Sequence, residues 1–344
     1  MKNIRRKKIK LLVPGKTPLI ECSGLFGIQN LFMKDETKNP NHTFKDRLAY
    51  EAVRPIMELI NSNQKIIKTT FGSISYGNTA YSLGYYTSAL NQLAKEKIVN
   101  VVSFVPPFLK NKTFGPNTDG QFVFPKTYFR KMFHNFNSAD FVEIDLTKKI
   151  YNSNDLENIA RGERLVEDKF IDVTEGLDRP AYVNIIIEAI EQQLKFAPDY
   201  IIVPFGAGIL CDEIIDYVKD NNLSSKVVPV SSGDPKTIAV MLYGPIWVDT
   251  KLLLKEGSAL TRHKVPDKKG RIRKQYRVYH VGDNEIKNAM QILSKAKISA
   301  EASGASGFAI LSQLRKIDPK FDLKKHSVLV INTGNGLLNF SKSV

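Results

Sequence analysis

The sequence predicts an α/β protein of two units, each a mostly parallel sheet flanked by helices. Three observations carry this. Strand-like and helix-like segments alternate along most of the chain. Some strand-like runs, such as "DYIIVPF", read as buried strands, which suits a sheet covered on both faces. At 344 residues the chain is too long for one small core.

The elements follow in order. Asn39, Pro40 and Asn41 are turn residues. From Phe44 apolar residues recur at Leu48, Ala52 and Ile56, with Val53 beside them, predicting an amphipathic helix with Lys45 in its first turn. Residues 65–71 read as a strand, and 75–94 as a helix entered through a polar turn bearing Gly77. Strands are expected at 98–106 and 139–146 around the turn-rich stretch 106–126. A helix over 182–194 precedes a strand over 199–205, a glycine turn and a helix over 211–221. A strand over 226–232, helices over 283–296 and 304–317, and a strand over 326–334 complete the pattern. Ligands of open α/β sheets gather at the carboxyl ends of strands, so the turns there are where chemistry belongs.

Composition narrows the class. Hydrophobic residues make up 42% and charged residues 25%, ordinary for a soluble globular protein. No apolar run approaches the roughly 18 residues of a membrane span, and the basic start gives way at Pro14–Gly15 before a signal-peptide core could form. Two distant cysteines, Cys22 and Cys211, match no metal spacing and suit a reducing cytoplasm; a small packed residue is the expected role of Cys211. The net charge is +15, concentrated in residues 1–10 and 262–277. Neither segment interleaves aromatics with its cations, so a nucleic-acid partner is not expected, although the basic arm leaves that open.

Three turns could carry chemistry. "VPFGAGIL" sends a strand into a helix through Gly206 and Gly208, where free helix-start amides could cradle an anion. It lacks both the Gly-Lys-Ser/Thr of a Walker loop and the third glycine of a dinucleotide fingerprint. "SISYGNTA" crowds Ser73, Ser75, Asn78 and Thr79 around Gly77, which suits a carboxylate or phenolic oxygen, or an ordinary helix cap. "INTGNGLL" puts Thr333 at a strand end before two glycines. Lys45 at a helix start opposes the positive end of the macrodipole. It is either a solvated lysine or an amine whose charge is disfavoured, hence a nucleophile.

Taken in order, these stretches resemble one family. "ETKNPNHTFKDR" is similar to the lysine motif E-x-x-N-P-T-G-S-F-K-D-R of fold-type II pyridoxal-phosphate enzymes, threonine synthases in particular. "SISYGNTA", "EGLDRPAYVNIIIEAIEQQ", "VPFGAGIL", "EASGASGFAIL" and "NTGNGLL" resemble the family's further motifs, and "GKTPL" near the start is typical of it. The resemblance runs from Gly15 to Leu338. It differs on the substrate side: His42 stands in the lysine motif, Tyr76 in the serine-rich loop, Ile209 at the end of the phosphate loop, and Leu338 and Asn339 where a lysine is usual.

The resemblance implies two α/β domains, a smaller one over 45–150 and a larger one over 1–44 and 151–344, with pyridoxal 5'-phosphate in the cleft between them. It implies Lys45 as Schiff-base and proton-shuttling residue, Asn78 beside the phenolic oxygen, the amides of Gly206, Ala207, Gly208 and Ile209 on the phosphate, and Thr333 facing the pyridine nitrogen. Ser75, Tyr76 and Thr79 would grip the substrate carboxylate. A threonine hydroxyl supplies no counter-charge, so the ring would stay largely neutral and favour elimination and replacement over transamination. The expected activity is a carbon–oxygen lyase of threonine-synthase type, making threonine and phosphate from O-phosphohomoserine and water. The eight cations within 262–277, Arg271, Arg273 and Lys274 among them, would trap the phosphate. Serine/threonine dehydratase, cysteine-synthase-like and diaminopropionate-lyase-like activities share the same constellation, and an altered cofactor-binding scaffold is the other class. A homodimer and a small amino-acid substrate are the expected partners.

Overall fold

A computed structural model describes residues 10–75, 77–105, 115–116, 122–123, 139–145, 151–174, 176–177, 179–206, 208–232, 237–239, 259–261 and 275–335. The strands are β1 (Leu19–Glu21), β2 (Asn30–Asp35), β3 (Thr69–Ile74), β4 (Val99–Val105), β5 (Gly115–Pro116), β6 (Phe122–Val123), β7 (Ala139–Glu143), β8 (Lys169–Asp172), β9 (Tyr200–Pro204), β10 (Lys226–Ser232), β11 (Ala259–Thr261), β12 (Gln275–Arg277), β13 (Tyr279–Val281) and β14 (Ser327–Asn332). They form a six-stranded sheet ordered β1-β2-β14-β9-β10-β13 and a four-stranded sheet ordered β7-β4-β3-β8, with two short hairpins, β5–β6 and β11–β12. Apart from β1, antiparallel to β2, both larger sheets are parallel.

Period-two alternation builds the larger sheet's two cores. Tyr200 and Ile202 of β9, with Val328 and Val330 of β14, enter one core beside the helices Asp283–Lys295 and Ala302–Ala309. Ile201 and Val203, with Leu329 and Ile331, enter the other beside the helices Val183–Ile187 and Ile209–Asp220. The smaller sheet is likewise covered on both faces. Helices α1 (Lys45–Asn61) and α2 (Asn78–Ala94) lie on one side, where Ala52, Val53 and Ile56 meet Phe71, Leu83 and Val101. The helix Ser153–Gly162 lies on the other, with Leu156 and Ala160 against Val102, Phe104 and Val142.

Three expectations change. The smaller sheet runs beyond residue 150, because β8 pairs with β3 at its far edge. The helix Ser153–Gly162 is the crossover that carries the chain there. The helix expected over 182–194 is α-helical only over Val183–Ile187 and continues as a π-helical stretch, Glu188–Leu194. The helix expected over 304–317 is a chain of three pieces, Ala302–Ala309, a 3-10 turn over Ile310–Gln313, and Leu314–Ile317. Among the described residues no helix is long and apolar enough to cross a membrane. The basic residues 1–9 and 262–274 lie outside the described residues.

Candidate active site

Lys45 opens α1, two residues after the turn that carries the chain out of β2. Asp46 fastens that turn: the Asn41 amide N–H donates to it at 2.6 Å and the Asn41 side chain at 2.7 Å. Asp46 also suits the positive end of the helix. The Phe44 N–H donates to the Thr333 carbonyl at 2.9 Å, which sets Lys45 beside the carboxyl end of β14. His42 is an exposed turn residue in the left-handed region (φ 58°), with Nδ1 2.9 Å from the Thr37 carbonyl.

A buried quartet of charges holds the base of α1. Arg47 forks onto Glu36 (2.7 and 2.8 Å) and onto Glu188 (2.8 and 2.9 Å), while Lys34 reaches Glu188 at 2.8 Å. Thr17 and Asn39 complete it, donating to Glu36 at 2.6 and 2.8 Å. Burial alone would raise the Glu188 carboxyl, but Arg47 and Lys34 outweigh it and hold it at about 2. Two positive and two negative groups satisfy one another, as buried charges require.

The Lys45 amine stands where α1, on the smaller sheet, meets elements of the larger one. Its Nζ donates to the Tyr182 hydroxyl at 3.3 Å and stands 4.6 Å from the Phe44 ring centroid. The residue as a whole is half-buried. Desolvation lowers the amine to about 8, against the opposing charges of Glu213 and Glu301. Tyr182 is fully buried. Its backbone is pinned because the amides of Ala181, Tyr182 and Val183 all donate to the Glu213 carboxylate at 2.6–3.1 Å.

Asn78, the first residue of α2, links the two sheets' helices. Its amide donates to Glu301 at 3.1 Å, and Glu301 leads into the helix Ala302–Ala309 of the other sheet. Burial raises the Glu301 carboxyl to about 7, moderated by Asn78 and Lys45. The Ser75 hydroxyl accepts from the Gly77 and Ala80 amides at 3.2 Å each, so it caps this turn and keeps its own proton to donate. Thr79 is buried in the first turn.

Gly206 and Gly208 follow β9. Gly208 takes φ 78° at the start of the helix Ile209–Asp220, a conformation that favours glycine, and as the N-cap residue it has no side chain to cap the first amides. Ile209 begins that helix and covers Gly176, where a Cβ would lie 3.3 Å from its side chain. Cys211 is buried in the same helix, as expected. Thr333 is buried after β14, in the strand next to β9. The adjoining turn is tight: a Cβ on Gly304 would lie 2.7 Å from Asn332 Oδ1 and 2.9 Å from the Gly334 carbonyl.

Lys45, Ser75, Asn78, Thr79, Gly206, Gly208, Ile209 and Thr333 thus all sit in turns or helix starts at the carboxyl ends of parallel strands or facing them. Tyr76 and Ala207 lie outside the described residues. Sequence reading missed Tyr182, Glu213 and Glu301 as site residues. Tyr182 and Glu301 lie inside quoted motifs, but Tyr182 is 137 positions from Lys45 and nothing local marks the contact.

No family model matches the chain. Cysteine synthase B of Campylobacter jejuni is 39% identical over 77 residues, 22% of this chain and 24% of that relative. The match therefore spans about a quarter of the relative's length. A pyridoxal 5'-phosphate-dependent aspartate racemase superposes with TM-score 0.60 at 18% identity, covering 93% of this chain and 90% of that one. A hydrogen sulfide-producing enzyme from Fusobacterium nucleatum gives 0.63 at 17%, covering 94% and 97%. O-ureido-L-serine synthase gives 0.61 at 14%, covering 96% and 92%. The chain has the fold of these enzymes, the two-sheet fold-type II architecture.

Proposed function

We propose that this chain binds pyridoxal 5'-phosphate at Lys45 and catalyses elimination or replacement on an amino acid. The observation that carries the reading is the Lys45 amine itself, desolvated to about 8 and bonded to Tyr182 from the larger sheet's side. The residues fit the group. The amides of Gly206, Ala207, Gly208 and Ile209 would hold a phosphate at this helix start, where Gly208 takes φ 78°. Asn78 supplies a side-chain amide donor, and Thr333 a hydroxyl without formal charge.

When bound, the cofactor supplies an electron sink for charge developing at the substrate α-carbon. Lys45 does the rest of the proton work. An amine near 8 is partly neutral at neutral pH, so it can attack a carbonyl and later take or return a proton. In this reading Ser75, Tyr76 and Thr79 take the substrate carboxylate, the Ser75 hydroxyl keeping its own proton to donate. The buried Tyr182 ring and the half-buried Phe44 ring shield the amine from water.

Two finer readings have separate support. The ordered motifs favour a threonine-synthase-type reaction on a phosphorylated substrate, and the local likeness to cysteine synthase B favours β-replacement. Borohydride reduction and peptide mapping are expected to leave a pyridoxyl group on Lys45. A map with that lysine unmodified after cofactor loading removes the proposal. Release of phosphate, sulfide or ammonia from a panel of β- and γ-substituted amino acids then separates the two reactions.

A further inference from the structure

We propose that Tyr182 is a further functional residue of this site, its hydroxyl anchoring the Lys45 amine whenever that amine is not covalently engaged. The inference rests on the reading of Lys45 as the reactive amine. Three observations carry it. Among the described residues, the hydrogen bond of the Tyr182 hydroxyl goes to Lys45 Nζ, at 3.3 Å. The ring cannot drift, because it packs on Phe44 at 4.8 Å between centroids and its backbone is held by Glu213. The two elements that bear the pair are tied one turn further on, where Arg47 of α1 forks onto Glu188, six residues beyond Tyr182.

The hydroxyl serves both protonation states. When Lys45 is protonated, an N–H donates to the phenol oxygen. When it is neutral, the phenol O–H donates to the nitrogen lone pair. The phenol keeps its proton throughout, since burial and the charge of Glu213 push it well above the ordinary tyrosine value. No proton is gained or lost by Tyr182 overall; it fixes where the amine points. The other charged groups acting on Lys45 are Glu213 and Glu301 from the larger sheet's side; its charged neighbours on α1 are engaged elsewhere, Asp46 with Asn41 and Arg47 with Glu36 and Glu188.

Tyr182→Phe removes one oxygen and keeps the ring. The test uses the unloaded chain, with formaldehyde and cyanoborohydride methylation of Lys45 followed by peptide mass mapping across pH. A bond to an ammonium is stronger than the reverse bond to an amine, so the variant's labelling midpoint should fall by about half to one pH unit. Equal midpoints in the two chains overturn the role of Tyr182 and leave Lys45 as the reactive amine. An amine that reacts in neither chain at any pH is closed to carbonyls, and that removes the cofactor reading itself and this one with it. If Tyr182→Phe fails to fold by circular dichroism, wild-type chain bearing 3-fluorotyrosine replaces it. Its weaker acceptor oxygen should move the midpoint the same way, and an unmoved midpoint overturns the proposal.

Discussion

Glu301 and Lys45 are each driven toward their neutral forms, by the same cause. Burial raises Glu301 from 4.5 to about 7 and lowers Lys45 from 10.5 to about 8. The folded chain therefore binds the Glu301 proton more tightly than the unfolded chain does, and stability is lost as pH rises from 4.5 through about 7. For Lys45 the cost is present below about 8 and is relieved between there and 10.5. Glu301→Gln removes the carboxyl term while keeping an acceptor for Asn78. Its thermal midpoint should gain on wild type as pH is raised from 4.5 to about 7, and hold that gain above it. Melts that run parallel across this range would show that Glu301 ionises freely. The same force acts on Cys22, whose thiol burial pushes up to about 11.

At the scale of elements, the quartet of Lys34, Glu36, Arg47 and Glu188 joins β2, α1 and the π-helical stretch into one support beneath Lys45. Removing one partner strands the rest. Arg47→Met should cost roughly 3–5 kcal/mol by urea unfolding, because Glu36 is left buried without its cation and Glu188 keeps only Lys34. Arg47→Lys should lose less, since it keeps the charge and gives up only the fork. Equal stability of wild type and Arg47→Met would mean that the carboxylates take up their protons or reach water. The quartet also explains why β2 escaped sequence reading. Its run "NLFMKD" places Lys34 and Asp35 at 0% and 4% exposure, and such residues read as polar punctuation when no partner is in view. β8 escaped for another reason: four residues, "KFID", hold too little pattern to distinguish a strand from a loop.

For the molecule as a whole, the site belongs to neither sheet. Asn78 reaches from the smaller sheet to Glu301 of the larger, and Phe44 ties α1 to Thr333. A ligand seated there would add contacts to both sides, so pyridoxal 5'-phosphate should raise the thermal midpoint of the entire chain. At a hundredfold excess over its dissociation constant the gain is about 2.7 kcal/mol, or a few degrees. Lys45→Ala should reduce the rise, since the covalent link is gone. A wild-type midpoint indifferent to the cofactor would contradict binding there.

The sequence by itself determined the alternation of strands and helices, the parallel sheets and the turns where the expected site residues lie. These are local properties, written in apolar periodicity and in glycines at strand ends. It also placed Lys45 at a helix start, which its neighbours Asn41, Phe44 and Leu48 make legible. Only the tertiary structure decided what that lysine is. A lysine in a first turn is ordinary in water. It becomes a depressed amine because residues remote in sequence, Tyr182 among them, close round it and exclude solvent, an effect that the charges of Glu213 and Glu301 only partly offset. Desolvation depends on every atom within reach, and chain order does not record which atoms those are.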